Sequence, residues 1–227
     1  MDLASIVAAE VPILCVDTCS ILDLVRDPTR DKAHPHDRQA AVDLVQRAAD
    51  GRLVCLMAAQ VSVEFVGREL EVREEAERNL AKVRKQVERI NQIAAVYGAT
   101  GLVSLIHWED HIERAKGVVD EWFRHLVPID ATPETHVRAF GRVNAGRSPA
   151  AKGKDSTKDC LIYETYLEAI SALRAGGCEQ KIVFLSSNTR EYLTEGQILK
   201  SDIAAELAPF DVTFASGMGH AKHALGL

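Results

Sequence analysis

The stretch "CVDTCSILDL", residues 15–24, decides the fold, because an apolar run meets an acid there and then starts again. Residues 13–16 are typical of a buried β-strand, and residues 18–27 have the apolar spacing of a helix. Asp17 stands at the junction between them. A carboxylate at the end of a buried strand is costly unless hydrogen bonds or a cation compensate its charge. The rest of the sequence has to indicate whether hydrogen bonds or a cation compensate the charge of Asp17.

The composition predicts a globular protein that stays in the cytoplasm. The chain has 227 residues, which fits one large domain. Its formal net charge of -6 argues against a surface that is positive throughout but leaves room for a local basic groove. Five cysteines without a CxxC motif or zinc-finger spacing indicate reduced thiols in the core. No apolar run approaches the roughly 20 residues that span a bilayer, and the acidic N-terminus is unlike a signal peptide. We therefore expect no membrane partner.

Strand-like segments alternate with helical ones along the chain. This alternation predicts an α/β fold, a three-layer sandwich around a central, mostly parallel sheet, in one domain over residues 1–227. The predicted strands are 13–16, 52–58, 181–187 and 211–216, with a short additional strand at 127–130.

Two heptad-like segments interrupt this pattern. Apolar residues recur at spacings of three and four over residues 80–97 and, after the break "GATG", over residues 105–126. Two antiparallel helices packed as a hairpin would show this pattern. We therefore predict an inserted α-helical hairpin at about residues 69–126 that packs largely on itself.

Three acids lie where the predicted strands give way to helices. Asp17 follows the first strand, Glu64 lies just past the second, and Asp159 begins the helix before the strand at 181–187. Residues 186–188 bring further oxygen atoms to the same edge of the sheet, which is where open parallel sheets bind ligands. Clustered carboxylates repel one another unless a cation compensates them, and oxygen ligands suit Mg²⁺ or Mn²⁺.

Each acid also has a purely structural interpretation. Asp17 could accept hydrogen bonds from the turn that follows, and Glu64 could favour the N-terminus of its helix by charge. Asp159 stands three residues after Ser156 and could complete a capping box. The convergence of the three acids favours the metal site, but the residues alone leave these alternatives open.

Four segments together resemble the motifs of the PIN-domain nuclease family, especially its larger bacterial branch. The segments are "VDTCSILDL", "SVEF", "KDSTKDCLIYETYLEA" and "VFLSSNTREY", in this order. The resemblance covers the chain apart from the hairpin and the termini. It implies a Mg²⁺- or Mn²⁺-dependent endoribonuclease, with RNA as the substrate.

The resemblance also implies a role for individual residues. Asp17, Glu64 and Asp159 match the three catalytic, metal-binding acids, and Asn188 falls at a fourth metal-binding position where Asp or Asn is found. Cys19 departs from the family, which often has Ser or Asn there, so a polar neighbour of the metal is missing. The residues expected to support the acids are Thr18, Ser187 and Asp155.

An acid-free basic run precedes the helix of Asp159. It extends from Arg138 to Lys154 and would fit a flap that contacts phosphates, although solubility alone would also explain it. The RNA-binding residues that we predict from this run are Arg142, Arg147, Lys152 and Lys154.

Other functions and sites remain as alternatives. A non-catalytic PIN-like module would bind RNA or a protein, and the toxin of a toxin-antitoxin pair would have an inhibitor protein as partner; homodimer formation is left open. His107 and His111 have the i, i+4 spacing of metal ligands but lack a third ligand. "HPH" at 34–36 is interpreted as a loop, and His220 is placed in a mobile tail.

Overall fold

The computed structural model describes residues 3–151, 153 and 155–227. Its five-stranded sheet is entirely parallel, in the order β3-β2-β1-β4-β5. The predicted α/β sandwich is therefore confirmed, including the short strand near residue 127. The strands are β1 (Ile13–Val16), β2 (Val54–Ala58), β3 (Leu126–Ile129), β4 (Ile182–Leu185) and β5 (Val212–Ala215).

Ten α-helices connect and flank these strands in the described part of the chain. None of them is both long and apolar enough to cross a membrane. The helices are α1 (Leu3–Ala8), α2 (Thr18–Val25), α3 (Pro35–Ala49), α4 (Ala59–Val96), α5 (His111–His125), α6 (Pro133–Ala145), α7 (Thr157–Ala175), α8 (Thr189–Tyr192), α9 (Ser201–Leu207) and α10 (Met218–Leu225).

The strand order creates a switch point beside β1. The chain moves from β1 outward to β2 and β3, then returns to β4 on the other side of β1 and ends at β5. Right-handed crossovers therefore place α2 to α5 on one face of the sheet and α6 to α9 on the other. In agreement, α3 packs against α5, whereas α7 packs against α6. Ligands of open parallel sheets bind where the strand order reverses, at the carboxyl ends of β1 and β4.

The helical hairpin packs differently from the prediction. Its first helix, α4, is 38 residues long and begins directly after β2, so Val61 and Phe65 belong to the main core. Its second helix, α5, packs mainly against α2 and α3 and buries Val119 and Trp122 in the same core. The two helices contact each other only in part, in a small cluster near Leu80 and where the Phe65 and Phe123 rings pack with centroids 4.7 Å apart. The main body, more than self-packing, therefore holds the hairpin.

The far end of α4 projects from the body. Ile90, Ile93 and Val96 are exposed there, and the chain then returns along the helix without regular secondary structure over residues 99–105. The Asn91 amide donates to the main-chain carbonyl of Val103 (2.9 Å) and accepts from its N–H (3.0 Å). This pair holds the returning segment.

The C-terminal segment is ordered, contrary to the prediction of a mobile tail. Helix α10 buries Met218, Ala221 and Leu225 and packs against α3, β4 and β5. The side chain of Asp37 accepts a 2.8 Å hydrogen bond from the Gly219 N–H. His220 is therefore fixed beside the N-terminus of α3.

Candidate active site

Asp17 lies at the switch point, between the end of β1 and the start of α2. Its side chain is only 4% exposed, and both of its oxygens accept hydrogen bonds. The Thr18 N–H donates to Oδ1 (2.7 Å), and the Ser186 hydroxyl, at the end of β4, donates to Oδ2 (2.5 Å). Asp17 is thus the N-cap of α2, as its structural interpretation predicted, and hydrogen bonds compensate part of its burial.

These hydrogen bonds do not fully compensate the charge of Asp17. Burial raises the pKa of the Asp17 carboxyl from its ordinary value to about 6, although the bonds from Ser186 and Thr18 lower it. The negative charges of Glu64 and Glu191 raise this pKa further. Two acids on other elements therefore repel the buried Asp17, and a cation would relieve this repulsion.

Glu191 is a functional candidate that sequence reasoning missed. It lies on the short helix α8 after β4 and is 4% exposed. The residue assigned to this strand end was Asn188, which stands three positions earlier at the N-cap of α8. Residues three apart share a helix face, so the acid in "NTRE" could have been predicted from the sequence to lie near Asn188.

Asp159 lies in the first turn of α7 and is half-buried. Burial raises the pKa of Tyr192 well above its ordinary value, and the charges of Asp17, Asp159 and Glu191 all act in the same direction. The three acids therefore lie close enough to this tyrosine for their charges to act on it. The capping-box alternative for Asp159 is wrong, because the Ser156 side chain makes no capping bond and instead accepts from the Ala151 N–H.

The predicted supporting residues have different surroundings. The Asp155 side chain accepts from the Thr157 N–H (3.1 Å), so it stabilises the start of α7. The Ser187 main chain donates to the Ser20 hydroxyl (3.0 Å), which joins the end of β4 to α2. Within the described residues, the hydroxyl of Thr18 is buried without a hydrogen-bond partner. Thr18 therefore has bonding capacity left for a group that enters the site.

The donor set fits a hard divalent cation. It consists of carboxylates with an amide from Asn188, and oxygen ligands of this kind suit Mg²⁺ or Mn²⁺. In the described part of the chain, however, no three His, Cys, Asp or Glu side chains already surround one point as metal ligands. Asp17 instead points both oxygens at its hydrogen-bond donors. The acids share an electrostatic environment, and their side chains would have to turn to share a cation.

The basic run has a structural function that the sequence did not predict. Arg142 is only 3% exposed; its guanidinium donates to Glu164 (2.7 Å), to Glu206 (2.8 Å) and to the Ser148 carbonyl. An RNA phosphate cannot replace these partners without unpairing a buried acid, so the predicted RNA contact of Arg142 does not fit its position.

The other predicted RNA contacts differ in exposure. Arg147 is exposed but forms an ion pair with Glu206. Lys152 and Lys154 lie outside the described residues. The contacts of Arg147, Lys152 and Lys154 with RNA therefore stay predictions.

A cavity of about 800 Å³ opens next to Asp17 at the carboxyl edge of the sheet. Ser20 from α2, Asn188 from the end of β4 and Ser216 from the end of β5 contribute to its lining. Five Lys and Arg side chains line it together with three Asp, so its formal charge is positive although the whole chain is negative. This is the basic groove that the net charge alone could not reveal.

The structure thus has carboxylates beyond the ends of β1 and β4 of an all-parallel α/β sheet. A family model described as PIN domain matches residues 14–192, and the chain belongs to this family. The match includes all four motifs and ends before β5. PIN domains are generally nucleases and typically use divalent metals. No curated protein and no solved structure matches the chain.

Proposed function

We propose that this protein is a divalent-metal-dependent endoribonuclease that hydrolyses phosphodiester bonds in RNA. One observation carries the proposal: Asp17 is buried at the switch point, and the charges of Glu64 and Glu191 raise its pKa further. Repulsion between carboxylates does not stabilise the fold. A cation bound between them would be attracted by each carboxylate and would remove the repulsion.

Each residue of the site has a distinct role in this proposal. Asp17, Glu64 and Asp159 would hold Mg²⁺ or Mn²⁺, with Asn188 as a weaker, neutral ligand. Ser186 fixes Asp17 by donating to it while accepting from the Asn188 N–H (3.2 Å), so the ends of β1 and β4 move as one unit. The bound ion would supply charge stabilisation at the scissile phosphate and activate water.

The partners and the location are also proposals. PIN domains commonly act on RNA and pair with antitoxins. RNA is favoured here by the cavity of positive charge beside the acids. A protein inhibitor that covers the same edge, a homodimer and a cytoplasmic location are each consistent with the fold.

The experiment is a cleavage assay with labelled structured RNA, single-stranded RNA and single-stranded DNA, in Mg²⁺, Mn²⁺ or EDTA. Wild type is compared with Asp17→Asn, which removes a carboxylate without removing volume. The matched control is Glu179→Gln, an exposed acid beyond the opposite edge of the sheet. We expect RNA cleavage that needs metal, is lost in Asp17→Asn and persists in Glu179→Gln. Cleavage by the Asp17→Asn variant at the wild-type rate would exclude this site.

A non-catalytic binding module is the second candidate. The observation in its favour is that, in the described residues, no metal ligands are prearranged. A rise in the melting temperature of wild type with Mn²⁺, absent in Asp17→Asn, would support the nuclease. RNA binding without any metal effect on melting or cleavage would support the module.

A further inference from the structure

The cavity beside Asp17 contains positive charge that the proposed catalytic acids do not use. Of its five cationic side chains, Arg26 forms an ion pair with Asp23 (3.1 Å). The other four make no ion pair and no side-chain hydrogen bond within the described residues. They are Arg30, Lys32, Arg38 and Arg68.

Two acids of the cavity already accept hydrogen bonds from neighbouring residues of the protein. The Asp27 side chain accepts from the N–H and hydroxyl of Thr29 and from the Asn79 amide. Asp37 accepts from the Gly219 N–H. Because these carboxylates stabilise the walls, they neutralise the four cations only at a distance.

The environment of Arg38 indicates how concentrated the positive charge is. Burial lowers the pKa of the Arg38 guanidinium; Asp23 and Asp37 oppose this effect, and the charges of Arg30 and Arg26 add to it. Arg30 and Arg26 therefore repel the half-buried Arg38, while Asp23 and Asp37 attract it. An anion entering the cavity would remove this repulsion.

The basic run shows the opposite arrangement. Arg138 is paired with Glu164 and Glu168, and Arg142 and Arg147 share Glu206. Phosphate contacts made by these arginines would compete with existing ion pairs. The cavity cations, unlike these paired arginines, can therefore bind an anionic ligand without breaking an ion pair.

The cavity adjoins the acidic site, because residues close to Asp17 and Ser186 in the chain line it. Cys19 lines it, and burial raises the pKa of this thiol to about 12. The charge of Asp17 raises that pKa too, whereas Arg26 and Arg68 lower it, so the acid and the cations act on the same side chain. Arg68 also stands four residues after Glu64 on α4, which places the two on one helix face.

Two aromatic rings border the cations. His34 and His36 are exposed and stack on each other, with ring centroids 5.3 Å apart and planes inclined by 8°. Histidine rings are surfaces on which unpaired bases stack. A cavity of about 800 Å³ has the size of a small-ligand pocket and can take a few unpaired nucleotides but no duplex.

We propose that this cavity binds a single nucleic-acid strand and leads it to Asp17. Arg30, Lys32, Arg38 and Arg68 contact the phosphates, and the His34–His36 pair stacks against a base. This inference deepens the proposed function, on which it rests for the identity of the ligand.

The test measures binding separately from cleavage. The anisotropy of fluorescein-labelled single-stranded RNA is titrated in EDTA, at several salt concentrations, with Asp17→Asn as the parent protein. Two triple variants of equal charge change are compared in this parent. The cavity variant is Arg30→Ala/Lys32→Ala/Arg68→Ala, and the control on the projecting end of α4 is Lys82→Ala/Lys85→Ala/Arg89→Ala; all six side chains are exposed.

We expect the cavity variant to lose at least about tenfold in affinity. Its slope of log affinity against log salt should fall by about 2, since each contact with a single strand contributes about 0.7. The control variant should bind like the parent. Equal losses in both variants, or parent-like binding by the cavity variant, would overturn the proposal.

The stacking contact is tested at the histidines. His34→Ala/His36→Ala should weaken binding about fivefold or more, the lower end of what one stacked base contributes. The same sequence as a duplex should bind less tightly than the single strand, and single-stranded DNA reveals whether the 2′-hydroxyl matters. A duplex that binds as tightly as the single strand would contradict the inference.

The two proposals can fail independently. A protein that binds RNA through the cavity and never cleaves it would retain this inference and refute the endoribonuclease. A protein that cleaves RNA, with binding unaffected by the cavity variant, would retain the endoribonuclease and refute the cavity.

Discussion

The hydroxyl of Tyr166 donates a 2.6 Å hydrogen bond to the main-chain carbonyl of Val16, the residue immediately before Asp17. The same hydroxyl accepts from the N–H of Ala58 (3.0 Å), the last residue of β2. Tyr166 lies on α7, two helical turns after Asp159. One buried side chain therefore ties the helix of Asp159 to the ends of the two strands that precede Asp17 and α4.

Removing this hydroxyl tests how much its hydrogen bonds contribute to the free energy of unfolding. Tyr166→Phe leaves the N–H of Ala58 buried without its partner, so the free energy of unfolding should fall by about 1–3 kcal/mol. Urea unfolding monitored by circular dichroism measures the change. Tyr97→Phe is the control, since Tyr97 is 85% exposed at the end of α4. Equal stability of Tyr166→Phe and wild type would show that the hydrogen bonds contribute nothing net.

The buried ion pairs of α6 predict that Arg142 acts in folding. Arg142→Met should lower the free energy of unfolding by about 3 kcal/mol, because it takes the buried guanidinium away from Glu164 and Glu206 and leaves Glu164 only the more exposed Arg138. Arg147→Met, which removes an exposed partner of Glu206, should cost about 1 kcal/mol or less. Thermal and urea unfolding distinguish the two variants. A stable, fully folded Arg142→Met protein would contradict the structural role.

The sequence predicted the sheet well because buried parallel strands are short apolar runs with few alternatives. Even β3, in which only Leu126 is buried, overlaps the short strand predicted at residues 127–130. The packing of the hairpin was missed, since a heptad pattern specifies an apolar stripe but does not name the surface that covers it. Val119 and Trp122 satisfy the heptad and yet pack in the main core.

Part of the site could be predicted from the rule that the carboxyl ends of parallel strands meet at one edge of the sheet. That rule brings together Asp17 and Asn188, and the family match covers both. The rule could not indicate that Arg142 is paired with Glu164 and Glu206, because those partners lie 22 and 64 residues away along the chain. It also could not assemble the basic cavity, whose cations come from a loop and two helices.

The raised pKa of Asp17 predicts how stability depends on pH without metal. Its ordinary value is 3.8 and its folded value about 6, so the folded protein binds the extra proton between these pH values. Stability should therefore fall as pH rises from about 4 to about 6, by about 3 kcal/mol in total, since one pKa unit is worth about 1.4 kcal/mol. Asp17→Asn should consequently be more stable than wild type above pH 6.

The measurement is urea unfolding of both proteins in EDTA across this pH range. The two proteins should differ little at pH 4 and most at pH 7, and Glu179→Gln should follow wild type throughout. Saturating Mn²⁺ should reduce the advantage of the variant, because binding to the folded wild type stabilises it. An Asp17→Asn protein that is less stable than wild type at pH 7 in EDTA would show that Asp17 is not strained.

Glu191 and Asn188 compete for the fourth position of the site, and paired variants decide between them. Glu191→Gln removes a charge that raises the pKa of Asp17, so in EDTA the pH-dependent loss of stability should move to lower pH. If Glu191 also supports the metal, cleavage should fall about 10- to 100-fold, as for residues that support metal ligands elsewhere. Asn188→Ala should leave the pH dependence unchanged, and Glu195→Gln, an exposed acid further along the chain, should change neither property. If Glu191→Gln cleaves RNA at the wild-type rate and Asn188→Ala loses most of its cleavage activity, Asn188 and not Glu191 is the fourth residue of the metal site.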